Sequence, residues 1–266
     1  MSNPPIPPTE ADAPERGEPA EMSFFDHLEE LRQRLIVSIA AVGIAACVGL
    51  YYADKIFDFM SQPILKALRE NGMEDKLVFT SPTAPIMLYI ELGLLAGLFL
   101  ALPVVVYELW MFIAPGLYRH ERRWALPFIV LSVVLFILGG AFAYKIALPY
   151  SLIFLVSMGK SFRALISINE YYDLATVIIL WMGVIFELPI LIFFLTLFGI
   201  VTPQFLLRYF RHAVLGIFIV AAVITPTTDV TTMVIFALPM IGLYLLGVFI
   251  SFLVVRHKRQ AAEAAK

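Results

Sequence analysis

The sequence predicts an all-α protein that crosses a membrane six times. Of its 266 residues, 61% are hydrophobic and 15% are charged. The charged residues are concentrated in a few short segments, and the apolar runs between those segments reach the length of a membrane-spanning helix. In a soluble domain of this size, charged side chains would be spread over all of the exposed faces. Composition and charge patterning therefore indicate a polytopic membrane protein.

The chain begins with 22 residues that are rich in Pro, Glu and Ala. This composition predicts a disordered tail, and the tail lacks the basic-then-apolar order of a secretory signal. Ser23 to Leu35 predicts an amphipathic helix, because Phe24, Leu28 and Leu31 fall on one face. This helix continues without a breaker into the first span, about Leu35 to Tyr52.

The segment from Asp54 to Pro82 mixes apolar and charged residues. We predict short helices at the membrane surface there, broken at Pro63. The second span runs from about Pro85 to Ala114, which is roughly 45 Å at helical rise. Since the hydrocarbon core is about 30 Å thick, we expect this helix to tilt, to kink at Pro103 or to protrude.

A turn dense in arginine, FIAPGLYRHERRW from Phe112 to Trp124, separates the second span from the third. The third span is predicted over Trp124 to Leu148. The apolar run that follows, Ser151 to Met158, has two interpretations. It extends the third helix past a kink at Pro149, or it lies on the surface as a separate helix.

The fourth span, about Tyr172 to Ile200, carries Glu187 near its middle. An acid at this depth costs roughly 2.5–3.5 kcal/mol on insertion scales, so it needs a partner or a water-filled cavity. One interpretation is structural, with a protonated Glu187 bonded to backbone carbonyls that Pro189 leaves free. We favour a functional role, as a polar contact for a partner helix or part of a wet concavity.

The fifth predicted span is unusually short. Ala213 to Ile224 holds only a dozen apolar residues, about 18 Å of helix against a core of about 30 Å. It is too short to cross an unperturbed bilayer alone. The turn TPTTD, Thr225 to Asp229, leads into a sixth span from Val230 to Val255, which Pro239 interrupts and which ends at RHKR.

Basic residues are unevenly distributed between the two ends of the predicted spans. One end collects most of the arginines: Arg32, Arg34, Arg119, Arg122, Arg123, Arg208, Arg211, Arg256, Lys258 and Arg259. At the other end the basic residues are spread over longer loops and mixed with acids: Lys55, Lys66, Arg69, Lys76, Lys145, Lys160 and Arg163. The positive-inside rule makes the first end cytoplasmic, and six spans then place both termini in the cytoplasm.

The sequence lacks the patterns that carry common enzymatic chemistry. It has no phosphate-binding glycine loop, no HExxH or GxSxG motif and no pair of mid-membrane aspartates. The histidines lack the spacing of metal ligands, and the single Cys47 cannot form an intramolecular disulfide. We therefore predict no enzymatic activity, cofactor, metal or nucleic-acid partner. A proton-coupled small-solute transporter that uses Glu187 remains as the alternative function.

From the residues alone, the acids near the arginines have a simple interpretation as solvated charges. Glu121 is followed by arginines that would neutralise it. Glu29 and Glu30 would form a solvated helix face, with Glu30 near Arg34 at helical spacing.

Four motifs occur in a fixed order: HLEELRQR before the first span, FIAPGLYRHERR after the second, FELP inside the fourth and TPTTD before the sixth. Over Ser23 to Arg259, the sequence resembles the TatC family, the core membrane subunit of the twin-arginine protein translocase. The resemblance implies a glove-like, concave bundle of six helices whose fifth and sixth members are short. The chain then divides into a tail over 1–22, a translocase domain over 23–259 and a cytoplasmic tail over 260–266.

The resemblance implies a binding site at the cytoplasmic face for signal peptides with consecutive arginines. Glu121 resembles the acid that contacts these arginines, and Glu30 resembles the second acid of the patch. Because Glu29 and Glu30 are neighbours, it stays open which of these two acids faces the signal peptide. Other positions that match this region are Phe112, Pro115, Arg119, Arg122 and Arg32. Carboxylates accept paired bonds from the planar fork of a guanidinium group, which lysine lacks.

The resemblance to the TatC family also implies protein partners. Glu187 resembles a buried acid that faces the concave surface and interacts with the single-span partners TatA and TatB. Pro63 and Asp229 match outer-face positions that are linked to function. The family transports folded proteins across the inner membrane of a bacterium, driven by the proton-motive force, in a complex with further TatC copies. Short fifth and sixth helices would thin the lipid bilayer locally and help a protein to cross without a permanent pore, which we state as a hypothesis.

Overall fold

The computed structural model describes residues 24–74, 76–113, 125–159, 165–225 and 229–264, and the structural statements below concern these residues. They form ten α-helices and one π-helical turn: α1 Phe24–Tyr51, α2 Ala53–Glu70, α3 Ala84–Ile113, α4 Ala125–Phe142, the π-helical turn Ala143–Ala147, α5 Leu148–Met158, α6 Ile168–Phe186, α7 Leu188–Leu197, α8 Pro203–Arg208, α9 Phe210–Ile224 and α10 Val230–Ala264. Within the described residues, extended pairing is limited to an isolated bridge between Val78 and Ser167. The predicted all-α fold class is confirmed.

Five segments of the described chain are long and apolar enough to cross a membrane: His27–Tyr51, Ala84–Ile113, Leu126–Met158, Ile168–Leu197 and Val230–His257. The apolar helix α9 has 15 residues, about 22 Å at helical rise and still less than a core of about 30 Å. It begins at Phe210 rather than Ala213, and the predicted short helix is confirmed. The first four long segments alternate in direction, whereas the fourth and fifth run parallel, with Thr196 beside Ser251 and Ile192 beside Gly247, because α9 lies between them in the chain. We call one end of the bundle the basic end, after the arginines that it carries: Arg32, Arg34, Arg208, Arg211 and Arg256.

Helix α1 is continuous from Phe24, which confirms that the amphipathic lead-in runs into the first span. It packs mainly on α3. The two backbones approach closely because glycines lie between them: a Cβ atom on Gly97 would lie 2.5 Å from the backbone nitrogen of Ala46. Close approach through small residues is typical of membrane helices. The glycine contact therefore fixes the register of α1 against α3.

Helix α2 runs through Pro63 as one helix, so the predicted break at this residue is wrong. Proline has no N–H group, and the carbonyl of Phe59 consequently lacks its usual partner four residues on. The hydroxyl of Tyr144 donates a hydrogen bond of 2.6 Å to this carbonyl. A side chain from another helix thus supplies the missing donor, and the helix continues.

Two further tyrosines hold α2 on the bundle. Tyr171 donates to the carbonyl of Met60, and Tyr172 donates to the carbonyl of Phe57 at 2.9 Å. The Tyr172 hydroxyl also lies 2.7 Å from the hydroxyl of Ser61. Both tyrosines are at most 2% exposed and belong to the largest apolar core, which α2, α5 and α6 share. This core lies toward the end of the bundle opposite the basic end.

The third span continues from α4 into α5 through the π-helical turn, and of the two interpretations the extended helix is confirmed. Pro149 lies in the first turn of α5. Local π-helical spacing is one way in which membrane helices satisfy backbone groups that a proline leaves free.

The fourth span is broken at Glu187, where α6 ends at Phe186 and α7 begins at Leu188. The predicted span with Glu187 near its middle is present as Ile168–Leu197, and the structure adds a break in its helix. Pro189 cannot donate to the carbonyl of Ile185, which removes one bond of the ladder. The N–H group of Glu187 donates to the carbonyl of Val184 at 3.1 Å, as in the tightened last turn of a helix.

Candidate functional site

The first turns of α1 meet the last turns of α3 at the basic end. The imidazole ring of His27 stacks on the ring of Phe112, with centroids 4.4 Å apart and planes 13° apart. One and two turns further along α1, Glu30 and Arg34 lie on the same helix face. Glu30 and Phe112, which the sequence predicts to share one site, both belong to this contact between α1 and α3.

Arg34 lies between two carboxylates. Its Nη1 donates to Glu108 Oε2 at 2.9 Å, and its Nη2 donates to Glu30 Oε1 at 3.4 Å. Glu108 is only 8% exposed, whereas the Glu30 side chain is 21% exposed. A buried carboxylate is costly unless a cation neutralises it, so Glu108 requires Arg34. A guanidinium group can serve both acids because its N–H donors form a rigid fork.

The two neighbouring acids of α1 point in different directions. Glu30 lies toward α3, and its Oε2 is 4.0 Å from Nδ1 of His27. The Glu29 side chain is 55% exposed and lies 3.6 Å from Arg32, which is itself 71% exposed. The geometry therefore groups Glu30 with Phe112, and it places Glu29 and Arg32 on the outer side of the helix.

Three assigned residues of this region, Glu121, Arg119 and Arg122, lie outside the described residues, which end at 113 and resume at 125. Pro115 lies in the same gap. The part of the arginine-rich turn that the structure describes is its beginning at Phe112 and Ile113.

The intramembrane acid Glu187 faces α4. The hydroxyl of Ser132 donates to Glu187 Oε2 at 2.7 Å. The second oxygen, Oε1, is buried and has no hydrogen-bond partner among the described residues. The structural alternative for this acid required backbone carbonyls as its partners, but the observed partner is a side chain on another helix. A carboxyl group with one unmet oxygen retains the capacity to bind a further donor.

At the opposite end, Pro63 and Asp229 have clear local roles. Pro63 is buried within α2, and Tyr144 compensates for its missing donor. Asp229 Oδ2 accepts a hydrogen bond of 2.7 Å from the backbone nitrogen of Thr232, as the N-terminal cap of α10. Helix α10 then passes Pro239 without ending, so the predicted interruption of the sixth span is wrong.

The described part of the chain contains no group of three His, Cys, Asp or Glu side chains arranged to hold a metal ion. At the start of α1, Arg32 lies near Glu29, and Arg34 contacts Glu30 and Glu108. The chemistry available there is recognition of cations and aromatic groups.

Sequence analysis did not assign Glu108 and Ser132 to either site. Both are partners supplied by a neighbouring span, 74 and 55 residues away from Arg34 and Glu187. One signal could have identified Glu108. In two antiparallel neighbouring helices, a base shortly after the start of one lies opposite an acid shortly before the end of the other.

Comparisons with known proteins agree on one family. The model of the family described as Sec-independent protein translocase protein (TatC) matches residues 26–239. A TatC protein from Koribacter versatilis is 46% identical over 248 residues, which cover 92% of each chain. One from Aquifex aeolicus is 36% identical over 246 residues, covering 91% of this chain and all of the relative.

A crystal structure described as the twin arginine translocase receptor TatC superposes with a TM-score of 0.74 at 36% identity. The match covers 86% of this chain and 99% of that one. The family match over residues 26–239 includes α3, both parts of the fourth span, α9 and all but the first two residues of α1. The chain therefore belongs to the TatC family of Sec-independent protein translocase proteins.

Proposed function

We propose that this multi-pass membrane subunit of the twin-arginine translocase receives signal peptides that carry consecutive arginines. The observation that carries the proposal is the position of Glu30, a partly exposed carboxylate that lies against α3 in the same cluster as the His27–Phe112 ring pair. A carboxylate beside an aromatic surface suits a guanidinium group, which combines paired donors with a stacking face.

Glu121 is proposed as the first acid of the site and Glu30 as the second. Arg119, Arg122 and Arg32 would surround them and keep acidic segments away. Two acids embedded among arginines favour a ligand with two cationic groups close together over a ligand with a single charge. Lysines would bind more weakly, because an ammonium group is a point charge without the planar fork.

Glu187 is proposed as the contact for the single-span partners TatA and TatB. Its Oε1 atom has no donor among the described residues, and a polar group of a partner helix could supply one. Pro63 and Asp229 are proposed to act at the outer face, where further TatC copies or the passing protein would meet the chain.

The topology that we propose has six spans, with both termini in the cytoplasm of a bacterium and the basic end at the cytoplasmic face of the inner membrane. The subunit would not act as an enzyme, and the proton-motive force would drive transport through the whole complex. The comparisons support a protein translocase and give no support to a small-solute transporter.

The test is the affinity of the purified full chain for a signal peptide with Arg-Arg, compared with the same peptide with Lys-Lys. The unaltered protein should prefer Arg-Arg by about 1 kcal/mol or more, on the order of one charge-assisted hydrogen bond. Glu121→Ala should remove this preference. Equal binding of both peptides to both proteins would refute the site.

A further inference from the structure

Arg34 already occupies the carboxylate that the proposed function gives to an incoming arginine. Its guanidinium group contacts Glu30 at 3.4 Å and Glu108 at 2.9 Å. The first contact is long for a charge-assisted hydrogen bond, and the second has the usual length. Arg34 is therefore held mainly by Glu108, and its hold on Glu30 is incomplete.

We propose that Arg34 is a resident occupant of Glu30, that a signal-peptide guanidinium binds by displacing it, and that Glu108 is the positioning residue that makes the exchange possible. The inference rests on the proposed function and adds a mechanism to it. During the exchange, Arg34 gives up its weaker contact and keeps the stronger one. Neither the arriving nor the resident guanidinium is left without a carboxylate.

Burial explains why the exchange runs in this direction. Glu108 is 8% exposed and cannot readily take a partner from solution, whereas Glu30 lies at the accessible edge of the cluster. If Arg34 left Glu108, a buried carboxylate would remain without a cation, which is strongly destabilising. Arg34 therefore stays with Glu108. Without Glu108, Arg34 would have Glu30 as its remaining acid in the described cluster, because Glu29 already contacts Arg32.

Exchange between like groups also favours arginine over lysine. Glu30 is contacted by one nitrogen of the Arg34 guanidinium group, and a ring nitrogen of His27 lies 4.0 Å from the same carboxylate. A second guanidinium group can reproduce the lost contact with the same geometry. An incoming guanidinium group can also replace the single 3.4 Å contact of Arg34 with a planar pair of bonds to Glu30, whereas an ammonium group lacks the fork, and the exchange is then less favourable.

The experiment measures the dissociation constants of Arg-Arg and Lys-Lys signal peptides with the full chain in lipid nanodiscs. Glu108→Gln releases Arg34 to Glu30 and should weaken Arg-Arg binding by about threefold, the ratio expected for a partly exposed ion pair. The double variant Arg34→Gln/Glu108→Gln removes the resident occupant without leaving a buried charge. It should bind Arg-Arg about threefold more tightly than the unaltered protein.

The matched control is Glu70→Gln, which removes a carboxylate 3.7 Å from Lys66 on α2, at the opposite end of the bundle. It should leave both affinities unchanged. Opposite signs for the single and double variants support exchange, because a merely structural role would weaken binding in both. Weaker or unchanged binding in the double variant overturns the inference, as does an equal change in the control.

The unaltered protein separates this inference from the proposed function. If it prefers Arg-Arg but the two variants fail to change affinity in opposite directions, the receptor function stands and the exchange is refuted. If it shows no preference for Arg-Arg, the receptor site fails and the exchange fails with it.

Discussion

The hydroxyl of Tyr144 donates a 2.6 Å hydrogen bond to the carbonyl of Phe59, the acceptor that Pro63 leaves without a partner in α2. This bond crosses from the third span to a helix at the end of the bundle opposite the basic end. The carbonyl that Pro63 leaves without a partner thus becomes a point at which α2 is attached to the third span. Pro63 and Tyr144 should therefore depend on each other.

Tyr144→Phe should lower the free energy of unfolding by about 0.5–1.5 kcal/mol, the net contribution of one hydrogen bond, because it removes the protein donor of the Phe59 carbonyl. Pro63→Ala restores a backbone N–H group for this carbonyl, so Tyr144→Phe should cost less in that background. Thermal unfolding of the four proteins of this double-mutant cycle measures the coupling. Tyr150→Phe, at a residue that is 57% exposed, is the control. Equal costs of Tyr144→Phe in both backgrounds would contradict the interpretation.

Gly97→Ala should separate α1 from α3. The new Cβ atom would lie 2.5 Å from a backbone nitrogen of α1, and backbone cannot rotate away as a side chain can. Overpacking of this kind costs about 1–3 kcal/mol, which a lower melting temperature would report. Gly43→Ala is the matched control, since nothing lies within 4 Å of its added carbon. If both variants melted alike, the close contact would not stabilise the helix pair.

Asp229→Ala should destabilise the start of α10 by about 1 kcal/mol, because the cap on the Thr232 nitrogen is lost. Asp229→Asn keeps a capping oxygen and should retain the melting temperature of the unaltered protein. Comparing transport by the two variants separates the charge from the cap. If Asp229→Asn lost transport but kept its melting temperature, transport would depend on the negative charge of Asp229 and not on the cap. An unchanged melting temperature in Asp229→Ala would show that the cap contributes nothing.

Lengthening α9 tests the hypothesis that its shortness matters. Insertion of four apolar residues between Ile219 and Val220 adds about 6 Å and brings the helix close to the thickness of the hydrocarbon core. Transport of a folded substrate in cells should fall, while the amount of membrane-inserted protein stays constant. The same insertion after Gln260 is the control. Full transport by the lengthened protein would count against local thinning of the bilayer.

The course of the helices could be predicted from sequence because apolar length and charge position are local properties of a chain in a bilayer. Pro63, Glu187 and Pro239 show where local reasoning fails. A proline disrupts a helix in isolation, but the donor that α2 lacks comes from Tyr144, 85 residues after the acceptor Phe59. The helix break at Glu187 follows from Pro189 together with the hydrogen bond that Glu187 accepts from Ser132 on α4.

The candidate site divides in the same way. Glu30 and Phe112 could be assigned from motifs, because the residue types and their order carry the information. Glu108 could not be assigned as a partner of Arg34 in this way, because the two residues meet only through the packing of α3 against α1. Helical spacing suggested Glu30 as the partner of Arg34. The structure adds that Glu108 makes the shorter contact.

Helix α1 contains no proline and runs unbroken for 28 residues, about 42 Å at helical rise. Its first turns carry Glu30 and Arg34, and a single residue separates its end at Tyr51 from α2, the helix that the tyrosines hold. Ala46 packs against Gly97 of α3, so the arm from Glu30 to this contact is about 24 Å and the arm from the contact to Tyr51 is about 8 Å. A tilt of α1 about this glycine contact would therefore move Glu30 about three times as far as the end of the helix that meets α2.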